Sequence, residues 1–117
     1  MVRRSRAADG LGVARGDVWL AALDPTIGRE IQKTRPCVIV SPAEMNDRLP
    51  TIMAAPMTTG SRPAPSRIAV FFQGKAGFIL LDQLRTLDKS RLVRRLGQIG
   101  TGSLATTLAT LREIFEE

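Results

Sequence analysis

The apolar residues of this chain come in short runs, each closed by a turn residue, and that spacing leaves room for strands and little else. Val18 to Leu23, Cys37 to Ser41, Ile52 to Met57, Ile68 to Phe72 and Gly77 to Leu81 are predicted strands. Gln73-Gly74-Lys75 is the predicted hairpin between the last two, and Pro42, Pro50, Pro63 and Pro65 fall in loops, where a missing N–H costs no ladder bond. The expected architecture is a mainly β, mostly antiparallel sheet. Arg85 to Leu87 continues or abuts the fifth strand. Leu92, Leu96 and Ile99 fit a further strand or, over Ser90 to Arg95, a helical turn. Leu104, Leu108, Leu111 and Phe115 recur at helical spacing after a Thr101 or Ser103 cap, which predicts one C-terminal amphipathic helix against the sheet.

Between the first two strands lies a loop that carries Glu30 and Arg35. Pro36 fixes φ and lacks a donor, so it should end that loop and start the second strand, holding Glu30 and Arg35 near each other at a sheet edge. An arginine held this way can offer its planar fork to a phosphate or a carboxylate. The same pair can also be a surface ion pair of little energetic weight. The net charge of +6 rests almost wholly on arginine, because Lys33, Lys75 and Lys89 are the only lysines. That balance suits phosphate binding, although an arginine-rich genome produces it too.

With 117 residues and 44% hydrophobic content, the chain is expected to build one core. Residues 15–117 are read as a single domain, and residues 1–14 as a flexible, arginine-bearing N-terminal arm. The lone Cys37, set in an apolar strand, is expected to be a buried small hydrophobe, which points to a reducing, cytoplasmic location. No apolar run reaches the roughly 18 residues of a membrane helix, and Met1 to Arg6 is not followed by a signal-peptide core.

Missing residue types narrow the chemistry further. Without histidine, and with one cysteine, the chain cannot assemble a catalytic Ser-His-Asp triad or an ordinary zinc site. No Walker loop or dinucleotide fingerprint is present. An enzyme built from this sequence works with Arg, Thr, Ser, Glu, Asp and Gln, and the reading includes no metal and no cofactor.

Several short segments, in this order, carry a resemblance: Gly16-Asp17-Val18-Trp19, Leu23-Asp24-Pro25-Thr26, Gly28-Arg29-Glu30, Arg35-Pro36, Thr51 through Met57 ending in Thr58-Thr59, and Leu80 through Lys89. Together they make the chain similar to the MazF/PemK family of toxin endoribonucleases. The resemblance implies an SH3-like barrel or strongly curved antiparallel sheet with a C-terminal helix. It implies metal-independent, sequence-specific cleavage of single-stranded RNA by the adjacent 2′-hydroxyl, leaving a 2′,3′-cyclic phosphate and a 5′-hydroxyl. Arg35 and Thr58 match the family's catalytic positions, which implies that Arg35 binds the scissile phosphate and takes part in proton transfer and that Thr58 hydrogen-bonds the phosphoryl oxygens. Glu30 is a possible base by its ordinary pKa, with an arginine-orienting or base-reading role preferred. A homodimer and a cognate acidic antitoxin are implied as partners. A gyrase-poisoning toxin of the CcdB kind, or an RNA-binding member that does not cut, is the alternative.

Arg29, Thr59, Gln83 and Arg85 complete the expected RNA-contacting set. If residues 82–85 are a strand, Gln83 and Arg85 share one face and Asp82 takes the other. Gln83 would then read a base, while Asp82 could equally tie down a loop and Arg85 form a solvated pair with Asp88. Arg91, Arg94 and Arg95 read as a solvated face. Trp19, Phe71, Phe72 and Phe78 sit in apolar strands and read as core. Arg29 and Pro56 depart from the family pattern at places that bear on substrate choice.

Overall fold

The computed structural model describes residues 12–24, 28 and 33–117. Seven strands form one antiparallel sheet: β1 (Asp17–Ala22), β2 (Thr34–Ile39), β3 (Thr51–Thr58), β4 (Arg67–Phe72), β5 (Lys75–Leu80), β6 (Arg85–Asp88) and β7 (Leu92–Gln98). Helix α1 (Ala43–Asn46) joins β2 to β3, and α2 (Thr101–Ile114) follows β7. The strand order is β4-β5-β3-β2-β1-β7, with β6 added to β3 off that path.

β3 organises the sheet. One edge pairs with β2, from Cys37↔Pro56 to Ile39↔Ala54. The other edge serves two strands in turn, β6 over Thr51–Ala54 and β5 at Met57 and Thr58. Pro56 falls between those stretches, where that edge of β3 pairs with neither strand, so the proline's missing donor is tolerated inside the element. The split curls the sheet into a half-barrel. Its two ends meet where Gln73 Nε2 donates to the carbonyl of Leu96 at 3.1 Å and the ring of Phe72 lies over Gly97. Register irregularities between β1 and β7 add to the bend.

Apolar side chains pack on both faces. Trp19, Ala21, Cys37, Ile39, Ile52, Ala54 and Leu87 belong to one buried cluster, while Val18, Val38, Ala55, Met57, Ile68 and Ile79 belong to the other. Leu104 and Leu111 of α2 pack on the second cluster, as their helical spacing predicts. Cys37 is buried as expected, and burial pushes its thiol up to about 12 despite the opposing charge of Arg85. Val13 also lies in the first cluster, and the Ala14 N–H donates to Asp17 at 2.9 Å. Among the described residues, no helix is long and apolar enough to cross a membrane.

Several expectations need correction. Arg35 and Pro36 lie within β2, opposite Ala21 and Leu20, not in the loop before it. Helix α2 starts from Gly100 with no side-chain cap. Leu81–Gln83 form a 3-10 turn, so β6 is a separate strand and the alternation expected across residues 82–85 does not apply. Residues 92–98 are a strand, and the helical turn considered over Ser90 to Arg95 is confined to a 3-10 turn at Lys89–Arg91 just before it. The arginines near it are not simply solvated: Arg95 Nε pairs with the buried Asp17 at 3.2 Å, and Arg91 donates to the carbonyls of Ala22 and Asp24. Phe71 is 75% exposed, because consecutive residues of a strand face opposite ways and Phe72 takes the inward position.

Polar groups that fold inside are satisfied. The Asp17 carboxylate accepts from Trp19 Nε1 at 3.3 Å as well as from Ala14 and Arg95. Ser41 Oγ donates to Asn46 Oδ1 at 2.6 Å and accepts from the Met53 N–H at 3.0 Å, while Asn46 Nδ2 donates to the Ser41 carbonyl at 2.8 Å. This network pins α1 to β3. Replacing Asn46 with Ala leaves buried Ser41 groups short of partners and should destabilise the fold by about 1–3 kcal/mol. Urea unfolding of N46A measures it, and a midpoint equal to wild type would contradict the assignment.

Candidate active site

Strand alternation and register bring the key side chains together. Arg35, Cys37 and Ile39 share one face of β2, and Ala54, Pro56 and Thr58 share one face of β3. The pair Cys37↔Pro56 fixes the relation of those faces, so two residues further along, Arg35 comes opposite Thr58. On the other side of β3, Thr58 pairs with Phe78 of β5. Arg35, Thr58 and Phe78 therefore form a transverse row across three adjacent strands. They line a common cleft of about 270 Å³ together with Thr59, Phe72 and Lys75. The face is apolar and closed around Cys37 and opens at this row, where Arg35 is exposed and Thr58 half-buried.

The Thr58 hydroxyl is oriented by its own loop. Its Oγ accepts from the Gly60 N–H at 3.2 Å, a local turn contact that occupies an acceptor site and leaves the hydroxyl hydrogen to be donated elsewhere. This contact sits in the bend that follows β3 and shapes the site. Gly77 makes the second contribution. A Cβ at Gly77 would lie 2.6 Å from the Thr58 carbonyl oxygen and 3.5 Å from Thr59 Cα, so only glycine lets β5 approach the Thr58-Thr59 backbone this closely. Sequence reading missed Gly77, Phe72 and Phe78 as lining residues. A glycine inside a strand was the available signal for the first.

The other predicted residues are distributed around this centre. Thr59 lines the cleft and is exposed. Arg85 pairs with Ala54 and so faces the same side of the sheet as Thr58, but its Nη1 donates to the Leu23 carbonyl at 3.5 Å and it does not line the cleft. Gln83 sits in the 3-10 turn before β6 and does not line the cleft either. Asp82 is a structural tie. It accepts from Arg67 Nε at 3.3 Å, from Arg67 Nη2 at 3.2 Å and from Ser66 Oγ at 3.4 Å, and the bond from Arg67 holds its carboxyl below the usual range against the opposing effect of burial. Arg29 and Glu30 lie outside the described residues.

A cationic fork beside an oriented hydroxyl donor, at the mouth of a half-barrel, is a site for an oxyanion or a phosphate ester. A family model for the PemK-like, MazF-like toxin of type II toxin-antitoxin systems matches residues 14–115. The chain is 39% identical over 108 residues to the endoribonuclease PemK of Escherichia coli, a match covering 86% of this chain and 80% of that protein. It is 39% identical over 90 residues to the endoribonuclease MazF of Staphylococcus epidermidis, covering 72% and 75% respectively. Its fold superposes on crystalline MazF of Deinococcus radiodurans with a TM-score of 0.80 at 25% identity, covering 91% of this chain and 98% of that one. A MazE–MazF complex from the same organism matches with a TM-score of 0.70 at 27% identity, over 91% of this chain and 98% of that one. By sequence along nearly its whole length, and by the curled sheet that sets Arg35 beside Thr58, the chain belongs to the PemK-like, MazF-like toxins of type II toxin-antitoxin systems.

Proposed function

We propose that this protein is an endoribonuclease toxin that cleaves single-stranded RNA at the Arg35–Thr58 row, using the RNA's own 2′-hydroxyl. The observation that carries this reading is the placement of Arg35 across from a Thr58 hydroxyl whose acceptor side is already occupied by Gly60. The 2′-oxygen passes its proton to water, or to the Glu30 carboxylate in that residue's alternative role, and attacks the adjacent phosphorus; the P–O5′ bond breaks, and the leaving 5′-oxygen takes up a proton from water. The products are a 2′,3′-cyclic phosphate and a 5′-hydroxyl. Negative charge grows on the non-bridging oxygens along this path, and donors fixed in advance at that charge are the main catalytic contribution.

Arg35 binds the scissile phosphate and neutralises that charge. A guanidinium stays protonated at neutral pH and is a poor general base, so its part is electrostatic. Thr58 donates its hydroxyl hydrogen to a phosphoryl oxygen. Glu30, five residues before Arg35, is assigned to orient the guanidinium or read a base, with proton abstraction as its alternative role. Thr59 contacts the same phosphate. Arg29, Gln83 and Arg85 contact the strand beyond the cleft. No metal is required by this set.

The partners follow from charge and surface. A chain of net charge +6 offers a basic groove to an acidic antitoxin segment, which folds on binding and covers Arg35. A homodimer is the proposed assembly. It is supported by an apolar groove of about 400 Å³ between the sheet and α2, lined by Val40, Met53, Leu84, Leu108, Leu111 and Phe115, the last 72% exposed.

Arg35→Ala and Thr58→Ala should keep the fold and each lower turnover by roughly 10²-fold or more, the usual cost of one transition-state donor. Near-normal cleavage of a long single-stranded RNA by either variant would remove that residue from the mechanism. Methylating the 2′-oxygen at a mapped cleavage site should abolish cutting there, and activity should survive EDTA; cleavage of the methylated RNA would disprove attack by that hydroxyl. Gly77→Ala should cost on the order of tenfold to hundredfold in turnover, through displacement of Thr58. Thermal melting alongside the assay distinguishes this from unfolding, and full activity in a folded G77A would show that the close approach is dispensable.

A further inference from the structure

The β4–β5 hairpin has two unlike faces. Ile68, Val70 and Phe72 turn inward onto the second core cluster, whereas Ala69 and Phe71 turn to solvent. The pairs Ala69↔Phe78 and Phe71↔Ala76 place Phe78 on that outer face, and Thr58↔Phe78 carries the same face onto β3. Phe71, exposed, and Phe78, half-buried, are thus diagonal neighbours on one face of the hairpin, within aromatic reach of each other. Neither ring is among the side chains that pack on the two core clusters of the described residues. The pair lies outside both core clusters, and it continues directly from the candidate catalytic row.

We propose that Phe78 and Phe71 form a stacking platform for unpaired bases of the RNA next to the scissile phosphate, with Phe78 taking the nearer base. This rests on the RNA-cleaving reading of the Arg35–Thr58 row. Adjacent strands lie about 4.8 Å apart, so Phe78 stands one strand from Thr58 and two, about 10 Å, from Arg35. That separation suits a phosphate held by Arg35 and Thr58 and a base of the adjoining nucleotide on Phe78. Every base presents a π-face, so the platform confers affinity for the strand without reading its sequence. It also favours single strands, whose bases are free to leave their neighbours.

The test uses the full-length protein and a single-stranded RNA whose cleavage site has been mapped with wild type. Binding is measured on the same RNA blocked by a 2′-O-methyl group at that site. Phe78→Leu should weaken binding and raise KM by about tenfold, the effect of losing one base–aromatic stack, with kcat little changed. Phe71→Leu should act in the same direction. Phe78→Trp should restore affinity, which a purely structural role for an apolar side chain would not require. Removing the base beside the scissile phosphate should weaken wild type and leave F78L unaffected. Wild-type affinity in both leucine variants overturns the platform. So does a change in sedimentation of F71L without a change in RNA affinity, which would mark the face as a protein contact. A wild-type protein that neither binds nor cuts RNA refutes the parent reading; loss of the platform alone leaves wild-type cleavage intact.

Discussion

Everything in this fold that bears on function depends on β3 having more partners than a strand has edges. β2 occupies one edge, and β6 and β5 divide the other, with Pro56 at the changeover. A sheet that divides in this way cannot stay flat, because each pair of strands adds its own right-handed twist and the two branches diverge. The β5 branch, with β4, swings round until Gln73 reaches Leu96 on β7. Thr58 is the last residue of β3, at the end where the β5 pairing runs out into the Thr59-Gly60 turn. It consequently has Arg35 on one side, Phe78 on the other and a free space ahead.

The positive charge of the chain divides into two functions that composition does not separate. Arg67 is bound to Asp82, Arg95 to Asp17, Arg91 to the carbonyls at the end of β1, and Arg15 Nε to the Val40 carbonyl at 2.8 Å. These guanidiniums satisfy backbone and carboxylate acceptors at strand ends, where the ladder leaves them open, and a planar fork with several donors suits that task. Arg35 differs in being exposed and lining a cleft. A buried Asp17, holding Trp19 and Arg95 at once, shows the same economy: one carboxylate joins β1, the core and β7.

Much of this was legible in the sequence. Five strands, the Gln73-Gly74 turn with positive φ at both residues, the C-terminal helix and the burial of Cys37 all follow from local patterning, because period, turn chemistry and side-chain polarity act over a few residues. Arg35 and Thr58 are singled out by family resemblance, and strand pairing brings them to one cleft. Their neighbours are not singled out. Phe71, Phe72 and Phe78 look alike in an apolar run, and only the register of β4 on β5 separates one core ring from two outer ones. The 3-10 turn at Leu81–Gln83 separates β5 from β6, and no glycine or proline in residues 80–88 marks that break.

The sequence by itself therefore determined the inventory: short strands, one amphipathic helix, a basic composition, no histidine, and a set of polar side chains confined to Arg, Lys, Thr, Ser, Glu, Asp, Asn and Gln. The tertiary structure decided adjacency. Arg35 and Thr58 are 23 residues apart in the chain, and Phe78 lies 20 further on. Their alignment in one row is set by strand pairing over long sequence separations, and Gly77 matters only because another strand's backbone passes where its Cβ would be. Local preferences carry no information about which strand edge meets which, since backbone hydrogen bonds are the same along every edge. The packing of two apolar faces selects the register, and the register makes the site.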